Sequence, residues 1–158
     1  MGNSTMKIAI SSDMYFPIID ELISDVKQRG HDIIYFGPSK EEKEQKGMHD
    51  WPLVTIKAID EIKSGHAREG IVLCWTGTGC TIIANKVPGI RAALCVDAET
   101  AKGARKWNRA NVLGLSLRTT SAPILKEILN AWFDTPFSTD DWNMQQLKRV
   151  EEVERTHR

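Results

Sequence analysis

The stretch EGIVLCWTGTGCTIIANK (69–86) decides the fold, because it leads from an apolar strand through a glycine turn into a short helix. EGIVLCW (69–75) has the continuous apolar character of a strand that is buried on both faces. Gly77 and Gly79 permit backbone torsions that other residues resist, and CTIIANKV (80–87) predicts the helix after the turn. A buried strand followed in this way by a helix is typical of a parallel α/β sheet.

The same alternation of strand and helix extends over the rest of the chain. Four more strands are predicted over 7–11, 31–37, 89–96 and 111–116, and four more helices over 17–30, 51–65, 97–108 and 121–134. The charged segment 38–50 predicts a surface loop, and 139–158 a polar, mostly helical tail. Five strands that are each followed by a helix predict a doubly wound, three-layer α/β/α fold with a five-stranded parallel sheet, Rossmann-like in architecture.

We expect one domain over residues 1–158. The C-terminal helix, 139–156, carries a thin apolar stripe and many charges. This pattern favours packing on a partner subunit, with packing across its own domain as the alternative.

Composition restricts the classes of function. The 158 residues are 41% hydrophobic, and 21 basic side chains balance 21 acidic ones, so the formal net charge is zero. This balance argues against a broad role on nucleic acid or on a membrane surface. No apolar stretch reaches the roughly 18 residues of a membrane-spanning helix, and residues 1–5 lack the apolar core of a signal peptide. The three cysteines predict reduced thiols in a cytoplasmic protein.

The turn TGTG (76–79) has the features of an anion site. Its backbone N–H groups and the positive end of the following helix can point at one spot, where a phosphate or a reaction oxyanion is stabilised. Neither nucleotide-binding glycine motif fits, since the third position after Gly79 is Ile82 and no Gly-Lys-Ser/Thr follows. A purely structural turn is the alternative.

Two cysteines flank this turn. Cys74 ends the predicted strand, and Cys80 begins the predicted helix, where the helix dipole lowers the pKa of a thiol. We therefore expect Cys80 to be the more acidic thiol, with burial of both side chains in the core as the alternative. Cys95 lies within a strand and is predicted to be core.

No metal or cofactor is predicted. The histidines are absent from metal-ligand patterns and are expected in loops or at element ends, away from the site: His31, His49, His66 and His157. In a doubly wound sheet, ligands bind at the carboxyl ends of the strands. The segments expected there are 11–16, 74–80, 96–100 and 116–120.

Four segments resemble one family. CWTGTGCTIIANKVPGIRAALC (74–95) is similar to the cysteine, glycine turn and Ala-Asn-Lys-x-x-Gly-Ile-Arg-Ala run of the ribose-5-phosphate isomerase type B and galactose-6-phosphate isomerase family. KIAISSD (7–13), DWP (50–52) and WNRANVLGLSLR (107–118) resemble its first strand, its Asp-Tyr-Pro and its His-Asn-Asp-x-Asn-Val-Leu segment. The resemblance implies a cofactor-free aldose–ketose isomerase that acts on a phosphorylated sugar. It also implies a homodimer or homotetramer with active sites shared between subunits.

The resemblance assigns roles by position. Cys74 matches the base of one family branch, and Cys80 the position of a glutamate base in another. The N–H groups of residues 76–80, including Gly77, Thr78 and Gly79, would stabilise an enediolate. The remaining matches are residues that handle the sugar or its phosphate: Asp13, Thr76, Asn108, Arg118 and Arg149.

Departures from the family pattern predict an altered substrate. Met14 and Trp107 stand where the family has a phosphate-binding histidine and a ring-opening histidine, and Trp75 stands where it has glycine. The partner of Arg149 in a C-terminal arginine pair falls on Asn143 or Gln145. A tetrose 4-phosphate has its O4 esterified, so it cannot close a furanose ring and needs no ring-opening histidine. We therefore hypothesise a sugar-phosphate isomerase with an altered substrate, such as a four-carbon sugar phosphate. The alternative is a catalytically degenerate protein that binds a sugar phosphate.

Overall fold

The computed structural model describes residues 4–42 and 47–158. Its strands, in chain order, are β1 Lys7–Ser12, β2 Asp32–Phe36, β3 Glu69–Cys74, β4 Ala92–Leu94 and β5 Val112–Ser116. Its helices are α1 Pro17–Gln28, α2 Trp51–Lys63, α3 Thr78–Asn85, α4 Ala98–Asn108, α5 Ala122–Asp134 and α6 Asp141–Thr156. The alternation of elements agrees with the sequence pattern. The part of the predicted 38–50 loop at 43–46 lies outside the described residues.

All strands are parallel and lie in the order β2-β1-β3-β5-β4. Helices α1, α4 and α5 share one apolar cluster on one face of the sheet, while α2 and α3 share a second cluster on the other. The predicted doubly wound α/β/α fold is therefore confirmed. The chain moves outward from β1 to β2 and then returns to β3, so the strand order switches between β1 and β3, where ligands bind in such sheets.

The central strand β3 is buried along its whole length, as its unbroken apolar run requires. Its first residue, Glu69, also ties the helices to the sheet. One carboxylate oxygen of Glu69 accepts a 2.8 Å hydrogen bond from Arg105 of α4, and the other accepts a 3.0 Å bond from Trp132 of α5. Both partners are buried, so the Glu69 carboxylate has a cationic partner and a second hydrogen-bond donor inside the core.

Most helix and strand ends lie within two residues of the predicted ones, and two of the differences have a structural cause. β4 has three residues instead of the eight expected over 89–96, because Gly89 turns the chain at φ +84° and the Asn85 side chain bonds both the N–H and the C=O of Ala92. Those bonds engage the Ala92 N–H and C=O at the outer edge of β4, so no further strand pairs with β4 at that position. Helix α3 begins at Thr78, two residues early, because Gly77 in a left-handed conformation ends the turn.

The C-terminal helix α6 contacts its own domain through one face. Asn143 and Leu147 are buried, and Glu154 accepts a 2.7 Å hydrogen bond from the Gly89 N–H. A neighbouring stripe remains open, with Trp142 70% exposed and Val150 and Val153 also exposed. Packing across its own domain therefore accounts for only part of the apolar surface of this helix.

Across the part of the chain described here, no helix is long and apolar enough to cross a membrane.

Candidate active site

Cys74 is the last residue of β3 and is only 5% exposed. The strand delivers its sulfur to the carboxyl edge of the sheet, beside the switch in strand order. Gly77, at φ +76°, then reverses the chain so that α3 starts over the end of the strand. As a result, the backbone N–H groups of Gly77, Gly79 and Cys80 face the Cys74 sulfur and favour its ionised form. The glycine turn therefore lies over Cys74.

The two thiols have opposite acidities. Donation by the Cys80 thiol, with the three backbone N–H groups, lowers the pKa of Cys74 to about 5, although burial opposes the shift. The pKa of Cys80 is raised, because its proton is held by Cys74, its side chain is buried and a thiolate lies beside it. The expectation that Cys80 is the more acidic thiol was wrong. A helix start stabilises the charge towards which its N–H groups point, and that charge is on Cys74.

This arrangement predicts that Cys74 titrates near pH 5 in the folded protein. The ultraviolet absorbance of its thiolate should appear between about pH 4 and 6, whereas an ordinary thiol ionises near pH 8.5. Cys74→Ser should remove this absorbance step, and Cys95→Ala should leave it in place, since burial raises the pKa of Cys95. A first ionisation above pH 8 in the wild-type protein would contradict the prediction.

Hydroxyl and carbonyl groups fix the turn around Cys74. The hydroxyls of Thr76 and Thr78 lie 2.7 Å apart, and the hydroxyl of Thr81 donates to the Gly77 carbonyl at 2.7 Å. The same carbonyl accepts a hydrogen bond from the Cys80 thiol, with the sulfur 3.3 Å from the oxygen. The segment after β5 is bonded to the turn, because the Arg118 N–H donates to the Trp75 carbonyl at 3.0 Å.

A cleft of about 730 Å³ opens at the same edge of the sheet. Asp13 and Met14 line it, as predicted for the segment after β1. Aromatic side chains connect it to the turn. The Phe16 and Trp75 rings lie 5.8 Å apart, and a Cβ built on Gly79 would lie 3.0 Å from the Trp51 ring. No residue of 74–80 is among the described residues that line the cleft, so the cleft and the Cys74 turn are neighbours connected by aromatic side chains.

His49 also lines this cleft, together with Lys40 and Glu42. The prediction that all four histidines lie away from the site was wrong for His49, because described residues from 38–42 and 49–51 line the cleft at the carboxyl edge of the sheet. The Ser39 N–H donates to Glu42 at 2.6 Å and lowers the pKa of that carboxyl. The position of His49, directly before the DWP match, is the sequence feature that could have indicated its place.

Three predicted site residues lie away from the cleft: Trp107, Asn108 and Arg149. Trp107 and Asn108 are at the C-terminal end of α4, at the opposite edge of the sheet from Cys74. They line a hollow of about 310 Å³ beside α6, the helix that carries Arg149. A single chain does not bring these residues to the cleft. Their part in the site stays a prediction that depends on a second subunit.

Metal ligands are not grouped in the described chain. Within residues 4–42 and 47–158, no set of three or more His, Cys, Asp or Glu side chains is arranged to hold a metal ion. The described residues bring to the cleft and the turn a thiol, hydroxyls, carboxylates, an imidazole, an ammonium group and backbone N–H groups.

The chain is similar to known sugar-phosphate isomerases. The family model described as Ribose/Galactose Isomerase matches residues 8–153. A D-erythrulose-4-phosphate isomerase of Pectobacterium atrosepticum is 46% identical over 87 residues, which cover 55% of this chain and 57% of that relative. A ribose-5-P isomerase B of Listeria innocua is 31% identical over 154 residues, covering 97% of this chain and 100% of the relative.

A solved structure gives the same assignment. The type B ribose 5-phosphate isomerase of Trypanosoma cruzi superposes with a TM-score of 0.86 at 32% sequence identity, over 98% of this chain and 99% of that one. The family resemblance found in the sequence is thus confirmed over the sheet, the turn and α6. The chain belongs to the Ribose/Galactose Isomerase family, whose members are aldose–ketose isomerases.

Proposed function

We propose that this protein interconverts an aldose phosphate and a ketose phosphate through an enediolate, with Cys74 as the base. The observation that carries the proposal is the position of Cys74, buried at the end of β3 beneath the glycine turn and the start of α3, where the Cys80 thiol and three backbone N–H groups lower the pKa of its thiol. A base must be deprotonated at the working pH to accept a proton, and this thiol meets that condition.

The proposed isomerisation consists of proton transfers and requires no cofactor. The Cys74 thiolate takes the proton from the carbon next to the carbonyl, and the electron pair moves onto the carbonyl oxygen to form the enediolate. The positive end of α3 stabilises that charge. Return of the proton to the neighbouring carbon and transfer of the hydroxyl proton between the two oxygens complete the isomerisation. We assign the second transfer to the Thr76 hydroxyl, which lies in the turn, and contact with sugar hydroxyls to Asp13, which lines the cleft.

We propose a four-carbon sugar phosphate as the preferred substrate. Met14 lines the cleft where the family resemblance leads us to expect a histidine, and Trp107 takes the place of the ring-opening histidine. The Phe16–Trp75 contact also narrows the site. A tetrose 4-phosphate needs no ring opening, because its O4 carries the phosphate. The 46% identity to a D-erythrulose-4-phosphate isomerase supports this choice.

We propose that a second copy of the chain completes the site. Asn108 and Arg149 lie apart from Cys74 in one chain, although the family resemblance assigns all three to one active site. The exposed apolar side chains nearest to Asn108 and Arg149 form a surface suited to that contact: Trp107, Trp142, Val150 and Val153. In a two-fold dimer, the same surface on each copy would reach the cleft of the other.

The purified protein should interconvert erythrulose 4-phosphate and erythrose 4-phosphate. We expect kcat/KM for ribose 5-phosphate to be at least about 10²-fold lower, since Met14 and Trp107 replace the two histidines that the family resemblance assigns to phosphate binding and ring opening. Proton NMR in deuterated solvent measures both reactions, because the enediolate exchanges one carbon-bound hydrogen. Equal efficiency on ribose 5-phosphate, with tetrose phosphates ignored, would remove the four-carbon assignment.

A sugar-phosphate-binding protein without turnover is the second candidate, and the presence of Met14 and Trp107 in place of histidines favours it. The same experiment separates the two candidates. Binding of tetrose and pentose phosphates without any deuterium incorporation would establish the binding protein and exclude the isomerase.

A further inference from the structure

A second cavity lies at the amino-terminal edge of the sheet, opposite to Cys74. It measures about 430 Å³, and residues at or directly before the starts of several strands line it. Arg68 and Glu69 lie at the start of β3, Arg91 directly before β4, and Asn111 directly before β5. Because β3 has six residues, roughly 17 Å of strand separate this cavity from the Cys74 turn. The two sites therefore share no lining residue.

The cavity holds a large excess of positive charge. Four arginines line it against one carboxylate, that of Glu69: Arg68, Arg91, Arg105 and Arg109. Glu69 is already engaged on both oxygens, by Arg105 and by Trp132. Among the residues that the structure describes, no carboxylate lies within 4.0 Å of the guanidinium of Arg68, Arg91 or Arg109. The cavity thus brings together three guanidinium groups that have no carboxylate partner among the described residues.

The hydrogen-bond donors of these arginines also exceed the acceptors. Arg105 donates to Glu69 and to the Ala110 carbonyl at 2.7 Å, and its guanidinium is stacked between Trp132 and Phe137. Among the described residues, the Arg91 guanidinium donates only to the Arg109 carbonyl, at 3.3 Å. The Nε–H groups of Arg105 and Arg109 are buried without an acceptor in residues 4–42 and 47–158. Buried donors of this kind are rare unless a ligand or water satisfies them.

Arg109 adds an independent observation. It has φ +48°, and in the described chain it is the one residue other than glycine with a positive φ. This conformation favours glycine and asparagine, and strain of this kind concentrates at ligand sites. The strained backbone aims the guanidinium over Phe137, with one nitrogen 3.3 Å from the Met144 sulfur, which is a weak acceptor.

We propose that this cavity binds a small phosphate monoester, independently of the isomerase site. Guanidinium groups bind phosphate through paired hydrogen bonds, and Arg68, Arg91 and Arg109 leave such donors available. Phe133 and Phe137 provide an apolar wall for the organic part of the ligand. The volume lies in the range of small-molecule sites, about 300–1,000 Å³.

Amide NMR of the whole protein tests the proposal with glycerol 3-phosphate, which has no carbonyl and cannot be isomerised. At constant ionic strength, the signals of Glu69, Arg91 and Asn111 should shift together in a saturable way, and glycerol should shift none of them. The Arg68→Ala/Arg109→Gly variant should weaken this binding at least about tenfold. Arg68 is exposed, and glycine suits the φ of Arg109, so this variant should fold.

Arg155→Ala removes one exposed arginine from α6 and should leave the binding unchanged. No saturable shift at Glu69, Arg91 and Asn111, or equal shifts in the double variant, would overturn the proposal. Inorganic phosphate that binds as tightly as glycerol 3-phosphate would overturn the assignment to a monoester. Because the signals of Gly77 and Gly79 report separately on the isomerase site, each proposal can fail without the other.

Discussion

Cys74→Ser should lower kcat by about 10³-fold, within the range that a positioned base contributes. The N–H groups that hold the thiolate remain in the variant, but a serine hydroxyl stays protonated in the same place. Solvent deuterium incorporation into the sugar phosphate should disappear together with turnover, because both require removal of the same proton. Near-normal deuterium exchange in Cys74→Ser would exclude Cys74 as the base.

Cys80→Ala is the matched variant, since it removes the neighbouring thiol and keeps the base. It should retain turnover, with the acidic limb of its pH profile displaced upwards, because the Cys80 thiol is the foremost cause of the lowered pKa of Cys74. A loss of exchange in Cys80→Ala but not in Cys74→Ser would assign the base to Cys80. Cys95, buried and apart from the turn, supplies the neutral control Cys95→Ala.

Mixing Cys74→Ser with Arg149→Ala tests the shared site in the same assay. If a second copy supplies Arg149, a mixed dimer contains one site with both defects and one intact site. After random exchange of subunits, about a quarter of all sites should be intact. No recovery after subunit exchange would mean that each chain forms its site alone.

The fold could be predicted from periodicity because each strand and helix buries its own apolar pattern. Strand order is a different kind of information. Nothing local in β4 and β5 states that β5 lies next to β3 and β4 at the edge. The shortness of β4 also depends on a side chain seven residues away, Asn85, which bonds the backbone of Ala92. Such contacts arise only once the sheet has formed.

Some of the residues at the carboxyl edge of the sheet could be predicted from the sequence, whereas the relative acidity of the two thiols could not. The glycine turn and Asp13 lie at the expected edge of the sheet. The dipole of α3 was expected to stabilise an anion, and the sequence did not indicate which sulfur its N–H groups face. His49 was missed for a related reason, since the path of a long loop is set by tertiary contacts and not by spacing. Both errors concern where a group points or lies in the folded chain, which composition and periodicity do not specify.

Gly77→Ala should be the most destabilising single-methyl substitution in the turn. A Cβ at this position would lie 2.5 Å from the Leu94 Cδ1 and 2.9 Å from the Leu115 carbonyl, and the residue has φ +76°. The left-handed backbone costs about 1–2 kcal/mol with a side chain, and the contacts with a buried strand add about 1–3 kcal/mol. Urea unfolding should show the combined loss. We also expect kcat to fall at least about tenfold, because a displaced Gly77 N–H no longer holds the Cys74 thiolate.

Gly65→Ala separates the two causes. Gly65 has nearly the same torsion, φ +80°, but nothing lies within 4 Å of its Cβ position. It should therefore lose only the backbone contribution of about 1–2 kcal/mol and keep full activity. The difference between the two variants measures how closely the turn is packed against β4 and β5. Equal losses of stability would mean that Leu94 and Leu115 yield to the added methyl group, and that the turn is held by its backbone torsion rather than by the sheet beneath it.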